Sequence, residues 1–123
     1  MDMTHEKSIL IVEDDDDVRE AIAAFLEGEG YAVVEARHGE EALHCLRSST
    51  EFCLILLDLF MPVMNGWSFR AEQQKDAKLA GIPVIVVSAD AGAHQKASDL
   101  GAVDAMVKPI HLEQLRTSVA TYC

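Results

Sequence analysis

The sequence predicts an α/β domain: a doubly wound parallel sheet of five strands with helices on both faces. Three observations carry this expectation. Short apolar runs alternate with amphipathic stretches five times along the chain. The runs are apolar at consecutive positions, as in Cys53-Leu54-Ile55-Leu56-Leu57, which fits strands buried on both faces. Four of the runs end in polar side chains, and the carboxyl ends of strands are where open α/β sheets bind ligands.

The elements follow in order. Ile9-Leu10-Ile11-Val12 is the first strand. Asp16 or Asp17 can cap the first helix, whose core stripe is Val18, Ile22, Phe25 and Leu26. Gly28 and Gly30 end it. Tyr31 to Ala36 is the second strand. Gly39 to Ser49 is the second helix, with Ala42, Leu43 and Leu46 inward. Phe52 to Leu57 is the third strand. The Asn65-Gly66 turn starts a third helix from Trp67 to about Lys75. Ile82 to Val87 is the fourth strand, with Pro83 tolerable near its start. Ala93 to Leu100 is a fourth helix with a mostly alanine inner face, ended by Gly101. Ala102 to Val107 is the fifth strand. Leu112, Leu115 and Val119 give the stripe of a final helix. Strict alternation of this kind implies right-handed crossovers and a parallel sheet.

At 123 residues the chain is one domain, residues 1–123, long enough to bury a core without staples. Its net charge is -11 and its pI about 4.7. That excludes nucleic-acid backbone binding by this domain, which needs a basic patch. It suits divalent cations or a basic partner surface. The three cysteines, Cys45, Cys53 and Cys123, have no metal-ligand or CxxC spacing, so reduced structural thiols in a cytoplasmic protein are expected. Met1 to Lys7 lacks the apolar segment of a signal peptide, and no run is long enough to cross a bilayer. His5, His38, His44, His94 and His111 form no ligand pattern, and Trp67 is expected to pack near the turn.

The strand ends hold the chemistry. Glu13 and Asp14 follow the first strand, Asp58 the third, Ser88 the fourth and Lys108 the fifth. A doubly wound sheet brings these side chains to one edge. Clustered carboxylates make a hard-oxygen site suited to Mg2+. One carboxylate could act as nucleophile toward a phosphoryl group. A lysine supplies a point charge for a phosphate oxygen, and a serine hydroxyl a hydrogen bond. The register in which Asp14 and Asp15 are the metal ligands stays open.

These residues resemble the receiver domain of bacterial two-component response regulators. Four segments carry the resemblance, which covers about Lys7 to Ala120. They are Ile9-Leu10-Ile11-Val12-Glu13-Asp14, the stretch Leu57-Asp58-Leu59-Phe60-Met61-Pro62-Val63-Met64-Asn65-Gly66, Val87-Ser88-Ala89 and Val107-Lys108-Pro109. The resemblance implies a CheY-like, flavodoxin-like sheet in the order 2-1-3-4-5 with five helices. It implies that Asp58 is the phosphoacceptor. Asp14, Asp58 and the Phe60 carbonyl would bind Mg2+ directly, and Glu13 through water. Ser88 and Lys108 would contact the phosphoryl group. The bond before Pro109 would be cis. The phosphoryl donor would be a sensor histidine kinase or a histidine phosphotransfer protein, the reader an unidentified protein target. Such a domain catalyses only its own phosphorylation and dephosphorylation.

One position departs from the family. The aromatic residue usual three positions before the lysine is here Ala105, so the fourth helix and its loops would have to carry the switch. Phe60 and Asp90 occupy positions that in the family tune phosphoryl lifetime. Two other functions fit less well. A dehalogenase-type phosphatase needs a second aspartate where Phe60 stands. A dinucleotide-binding domain needs a glycine-rich turn where the acidic run Glu13 to Asp17 stands. A free-standing receiver and a piece of a larger regulator or hybrid kinase both stay open.

Overall fold

The computed structural model describes residues 7–48 and 50–123. Five strands alternate with five helices: β1 (Ser8–Val12), α1 (Asp16–Gly28), β2 (Ala32–Ala36), α2 (Gly39–Leu46), β3 (Phe52–Leu57), α3 (Gly66–Lys75), β4 (Val84–Ser88), α4 (Ala93–Leu100), β5 (Asp104–Val107) and α5 (Leu112–Tyr122). All strand pairs are parallel, and their order is β2-β1-β3-β4-β5, as the resemblance implied.

Strand alternation divides the core into two layers. Ile9, Ile11, Leu54, Leu56, Ile85 and Met106 pack with Ile22 and Leu26 of α1 and with Leu115 and Val119 of α5. Leu10, Val12, Ile55, Leu57, Val84 and Ala105 pack with Leu43 of α2, Phe69 of α3 and Ala97 of α4. Both faces of the central strands are therefore buried, which is why their sequences are apolar at consecutive positions.

Several boundaries differ from the sequence expectation, each for a local reason. Asp15, not Asp16 or Asp17, caps α1: its carboxylate accepts from the Asp17 and Val18 amides at 3.0 and 3.1 Å. Asp16 and Asp17 instead sit in the first turn, where the helix dipole favours acids. Val18 and Phe25 are half-buried, because the inward face turns slightly to bury Arg19 and Ala23. The second helix stops at Leu46 rather than Ser49; Ser48 Oγ donates to the Cys45 carbonyl just past the helix end, and residue 49 itself lies outside the described residues. The fourth strand starts at Val84, after Pro83, and runs one residue further to include Ser88. Leu112 is half exposed, so α5 buries only Leu115 and Val119 from its expected stripe. His38 does more than sit at the surface: its Nδ1 accepts from the Glu41 amide at 3.2 Å and caps α2.

The cysteine expectation is corrected. Cys53 of β3 and Cys123 after α5 form a disulfide, with Cα atoms 5.6 Å apart; Cys45 is free. The pair is 70 residues apart in the chain, and only the packing of α5 under β3 brings it together.

Helix α3 has little apolar face, and polar groups hold it instead. Arg70 is buried, and its guanidinium donates to the Leu100 and Gly101 carbonyls at 3.0 and 3.1 Å and to Gln73 Oε1 at 2.8 Å. Gln73 Nε2 donates in turn to the Leu79 and Ile82 carbonyls. This network ties α3 to the carboxyl end of α4, where Gly101 adopts the left-handed conformation usual after a helix.

Candidate functional site

Strand register assembles the site. Val12 pairs with Leu57, so the residues that follow, Glu13 and Asp58, emerge side by side. The Asp58 amide donates to the Val12 carbonyl at 3.0 Å, extending the ladder by one step. Ser88 pairs with Val107, and the Lys108 amide donates to the Ser88 carbonyl at 2.9 Å. Glu13, Asp14, Asp58, Ser88 and Lys108 therefore all stand at the carboxyl edge of the sheet.

Glu13, Asp14 and Asp58 can each offer a carboxylate oxygen within 4.8 Å of the other two. Glu13 and Asp58 are buried, and Asp14 is exposed. Lys108 Nζ lies 2.5 Å from Glu13 Oε1 and 3.6 Å from Asp58 Oδ2. Burial pushes the Asp58 carboxyl from its ordinary 3.8 up to about 6, and the neighbouring Glu13 adds to the rise; Lys108 and the Phe60 amide, 3.3 Å from Oδ1, oppose it. Burial would lower the Lys108 ammonium, but its bonds to Glu13 and Asp58 outweigh that and hold it above its ordinary value. Two buried carboxylates share one ammonium, with the exposed Asp14 beside them, which leaves excess negative charge at the site. Hard oxygen donors with that charge excess fit Mg2+.

Arg19 is a member of this neighbourhood that sequence reasoning missed. Its Nη1 donates to the Glu13 carbonyl at 2.9 Å, Nη2 to Asp16 at 2.6 Å and Nε to Glu35 of β2 at 3.0 Å. It fixes the backbone from which Glu13 and Asp14 project. The spacing of Asp16 and Arg19, one helical turn apart, was the available signal.

Ser88 and Phe60 complete the site, one buried and one at the rim. Ser88 is fully buried, and its Oγ accepts from the Asp90 amide at 3.2 Å. Phe60 is 55% exposed and meets Trp67 edge-on, with ring centroids 5.3 Å apart. The Lys108–Pro109 bond is cis, as the resemblance implied. Gly66 presses on the site from behind: a Cβ there would lie 2.8 Å from the Asp58 carbonyl and 2.7 Å from the Leu59 side chain. Only glycine allows α3 to start so close to the phosphoacceptor candidate.

Val63 is strained. Its φ is 66°, and the Met64 amide donates to the Pro62 carbonyl at 2.7 Å across it. This is a γ-turn of the rare positive-φ kind, centred on a β-branched residue. Val63 is 73% exposed, so its side chain returns little burial. Val63→Gly should therefore raise stability by about 1 kcal/mol, strain relief outweighing the added chain entropy. Urea unfolding of the two proteins checks this.

A cleft at the opposite end of the sheet, lined by Arg47, Phe52, Ile82, Pro83 and Tyr122 among others, contains none of these residues. The candidate residues stand instead at the open carboxyl edge, where doubly wound sheets generally bind ligands.

Strand order, helix count and the polar groups at the carboxyl edge define a CheY-like domain of the flavodoxin-like class. The chain belongs to the response regulator receiver domain family, whose model matches residues 9–120. It is 39% identical over 109 residues to response regulator RR06 of Streptococcus pneumoniae, covering 85% of this chain and 48% of that protein. It is 36% identical over 114 residues to a cyclic di-GMP phosphodiesterase of Thermotoga maritima, covering 91% of this chain and 30% of that protein. The chain thus spans about half or less of the curated relatives it matches. Among solved structures, chemotaxis protein CheY4 of Vibrio cholerae superposes with a TM-score of 0.86 at 26% identity, covering 97% of this chain and all of that one. Response regulator TrrA of Thermotoga maritima, solved in complex with Mg2+ and BeF, gives 0.83 at 30% identity, covering 95% and 99%. The domain is a signalling domain of two-component systems. No helix among the described residues is long and apolar enough to cross a membrane.

Proposed function

We propose that this domain takes a phosphoryl group from a phosphohistidine onto Asp58 and thereby switches a protein-interaction surface. The observation that supports it most is the meeting of Glu13, Asp14 and Lys108 at the buried Asp58. Asp14, Asp58 and the Phe60 carbonyl would hold Mg2+, with Glu13 acting through a bound water. The ion would neutralise charge on the carboxylates and on the incoming phosphoryl oxygens. That the related TrrA was solved with Mg2+ and BeF supports this assignment.

An Asp58 carboxylate oxygen attacks phosphorus in line with the leaving imidazole. The new O–P bond forms as the P–N bond of the phosphohistidine breaks, and the imidazole nitrogen keeps the electron pair. Lys108, freed from its contact with Glu13, pairs with one phosphoryl oxygen. The Ser88 hydroxyl donates to another. Hydrolysis later returns Asp58 and inorganic phosphate. The donor is a sensor histidine kinase or a histidine phosphotransfer protein, and the setting is cytoplasmic. The reader is a protein target, and nucleic acid is no ligand of this acidic domain.

The test is direct. With Mg2+ and acetyl phosphate, intact-mass spectrometry should show a gain of one phosphoryl group. Asp58→Ala should show none, and chelation of Mg2+ should abolish the gain in the parent. No gain in the parent with acetyl phosphate, and no amide shifts with beryllofluoride, would reject the reading. Phe60, exposed at the rim, would shield the phosphoryl group from water. Phe60→Ala should dephosphorylate about threefold faster or more, a barrier change of about 0.7 kcal/mol. An unchanged rate in a pulse–chase assay would remove that role.

A further inference from the structure

We propose that Lys96 is a positioning residue that couples Ser88 to α4, acting through the carboxylate of Asp90. This rests on the proposed function, since the signal to be coupled is the phosphoryl group on Asp58.

The usual aromatic route is closed in this chain. Ala105 is fully buried on β5 beside Val86 of β4, and a methyl group has no alternative rotamer to adopt. A different chain of contacts leaves the site. The Asp90 amide donates to Ser88 Oγ at 3.2 Å. A serine hydroxyl has two acceptor positions and one donor, so this bond leaves its proton free for a phosphoryl oxygen. The hydroxyl can therefore hold the phosphoryl group and the loop at the same time.

The loop is itself bolted to α4. Asp90 Oδ1 accepts from the Gly92 amide at 2.7 Å, and Asp90 Oδ2 forms an ion pair with Lys96 Nζ. The Lys96 amide donates to the Gly92 carbonyl at 3.0 Å, which sets Lys96 in the first turn of α4. A ring thus closes from Asp90 through Gly92 to Lys96 and back. Both side chains of the ion pair are 31% exposed, so the contact is partly shielded from water.

Two features make α4 easy to move. It buries only Ala93 and Ala97, two small side chains. Its N-cap residue, Gly92, has no side chain to bond the first-turn amides, so Asp90 and Lys96 are what tie this end to the loop. A shift of Ser88 toward Asp58 draws the Asp90 amide with it, and the ion pair passes that displacement to Lys96. The carboxyl end, held by Arg70 through the Leu100 and Gly101 carbonyls, acts as the pivot.

The experiment is amide NMR of the full chain with Mg2+ and beryllofluoride as the phosphoryl stand-in, comparing the parent with Lys96→Met, Lys96→Arg and Asp90→Asn. Lys96 is on the surface, so these variants should fold, and the ligand-free spectra establish that. In the parent, shifts should appear at 88–90 and along 93–100. In Lys96→Met and Asp90→Asn the shifts at 88–90 should remain, while those along 94–100 fall to less than half. Lys96→Arg, which keeps the ion pair, should restore them. A merely structural role would not separate the two groups of shifts. Full α4 shifts in Lys96→Met would overturn the proposal while leaving the phosphoacceptor reading intact. A parent that does not respond to beryllofluoride would overturn both.

Discussion

Asp58→Asn should be more stable than the parent at pH 7 in the absence of divalent cations, by about 2–3 kcal/mol. The reason is the cost of an ionised Asp58. The residue is 6% exposed, stands beside Glu13, and ionises near pH 6 rather than at its ordinary 3.8. Because the folded value is the higher one, the folded state holds the proton more tightly between those two pH values. Stability is therefore lost as pH rises from about 4 to about 6, and the full loss persists above that window. Asparagine keeps the shape and has no such titration. The difference between parent and variant should be near zero at pH 4 and reach its full size by pH 7. Urea unfolding of both proteins in chelator, across that range, measures it. Mg2+ should then stabilise the parent more than the variant, because the parent alone offers all three carboxylates. Equal stabilities at pH 4 and pH 7 would show that Asp58 is not burdened by its site.

Cys123→Ser should lose about 2–4 kcal/mol relative to the oxidised parent, since a bond closing 70 residues strongly restricts the unfolded chain. The bond joins β3 to the end of α5, so its loss should be felt first as fraying of that helix. Reductant should lower the urea midpoint of the parent and leave Cys123→Ser unchanged. Thiol titration under denaturing, non-reducing conditions should find one reactive cysteine, Cys45, in the oxidised parent and three after reduction. Three thiols before reduction would rule out the bond in solution. In the cytoplasmic setting proposed above, reducing conditions should keep most of this pair as thiols, and the bond forms under oxidising conditions.

Much of the molecule was legible beforehand because its signals are local. Consecutive apolar residues in Leu54-Ile55-Leu56-Leu57 revealed a strand buried on both faces. Asn65-Gly66 marked the start of α3, and Gly101 the end of α4. The polar residues at four strand ends indicated a site, because parallel strands all present their carboxyl ends to one edge. Where expectations slipped, a neighbour in space had decided the matter. Asp15 won the cap of α1 over Asp16 and Asp17 by about one residue of geometry. Leu112 looked like core by spacing, yet as the first residue of α5 it is left half exposed.

Arg19, Arg70 and Gln73 show the limit most clearly. Each is buried, and each is a polar side chain in a helix whose sequence gives no reason to bury it. Each has among its partners a main-chain carbonyl of another segment, such as Glu13, Leu100 and Leu79. Carbonyls carry no sequence signature, so such bonds cannot be read in advance. The same holds for the Cys53–Cys123 disulfide and for the contact of Asp90 with Lys96.

The sequence by itself determined the element order, the parallel sheet and the set of acids, hydroxyl and lysine at its edge, because periodicity and turn chemistry depend on near neighbours. Only the tertiary structure decided how those groups are charged and linked. Burial beside Glu13 raises Asp58, the reach of Lys108 across two strand ends holds the acids together, and packing distances choose which buried polar groups find partners. Those are properties of separation in space, and the chain order does not contain them.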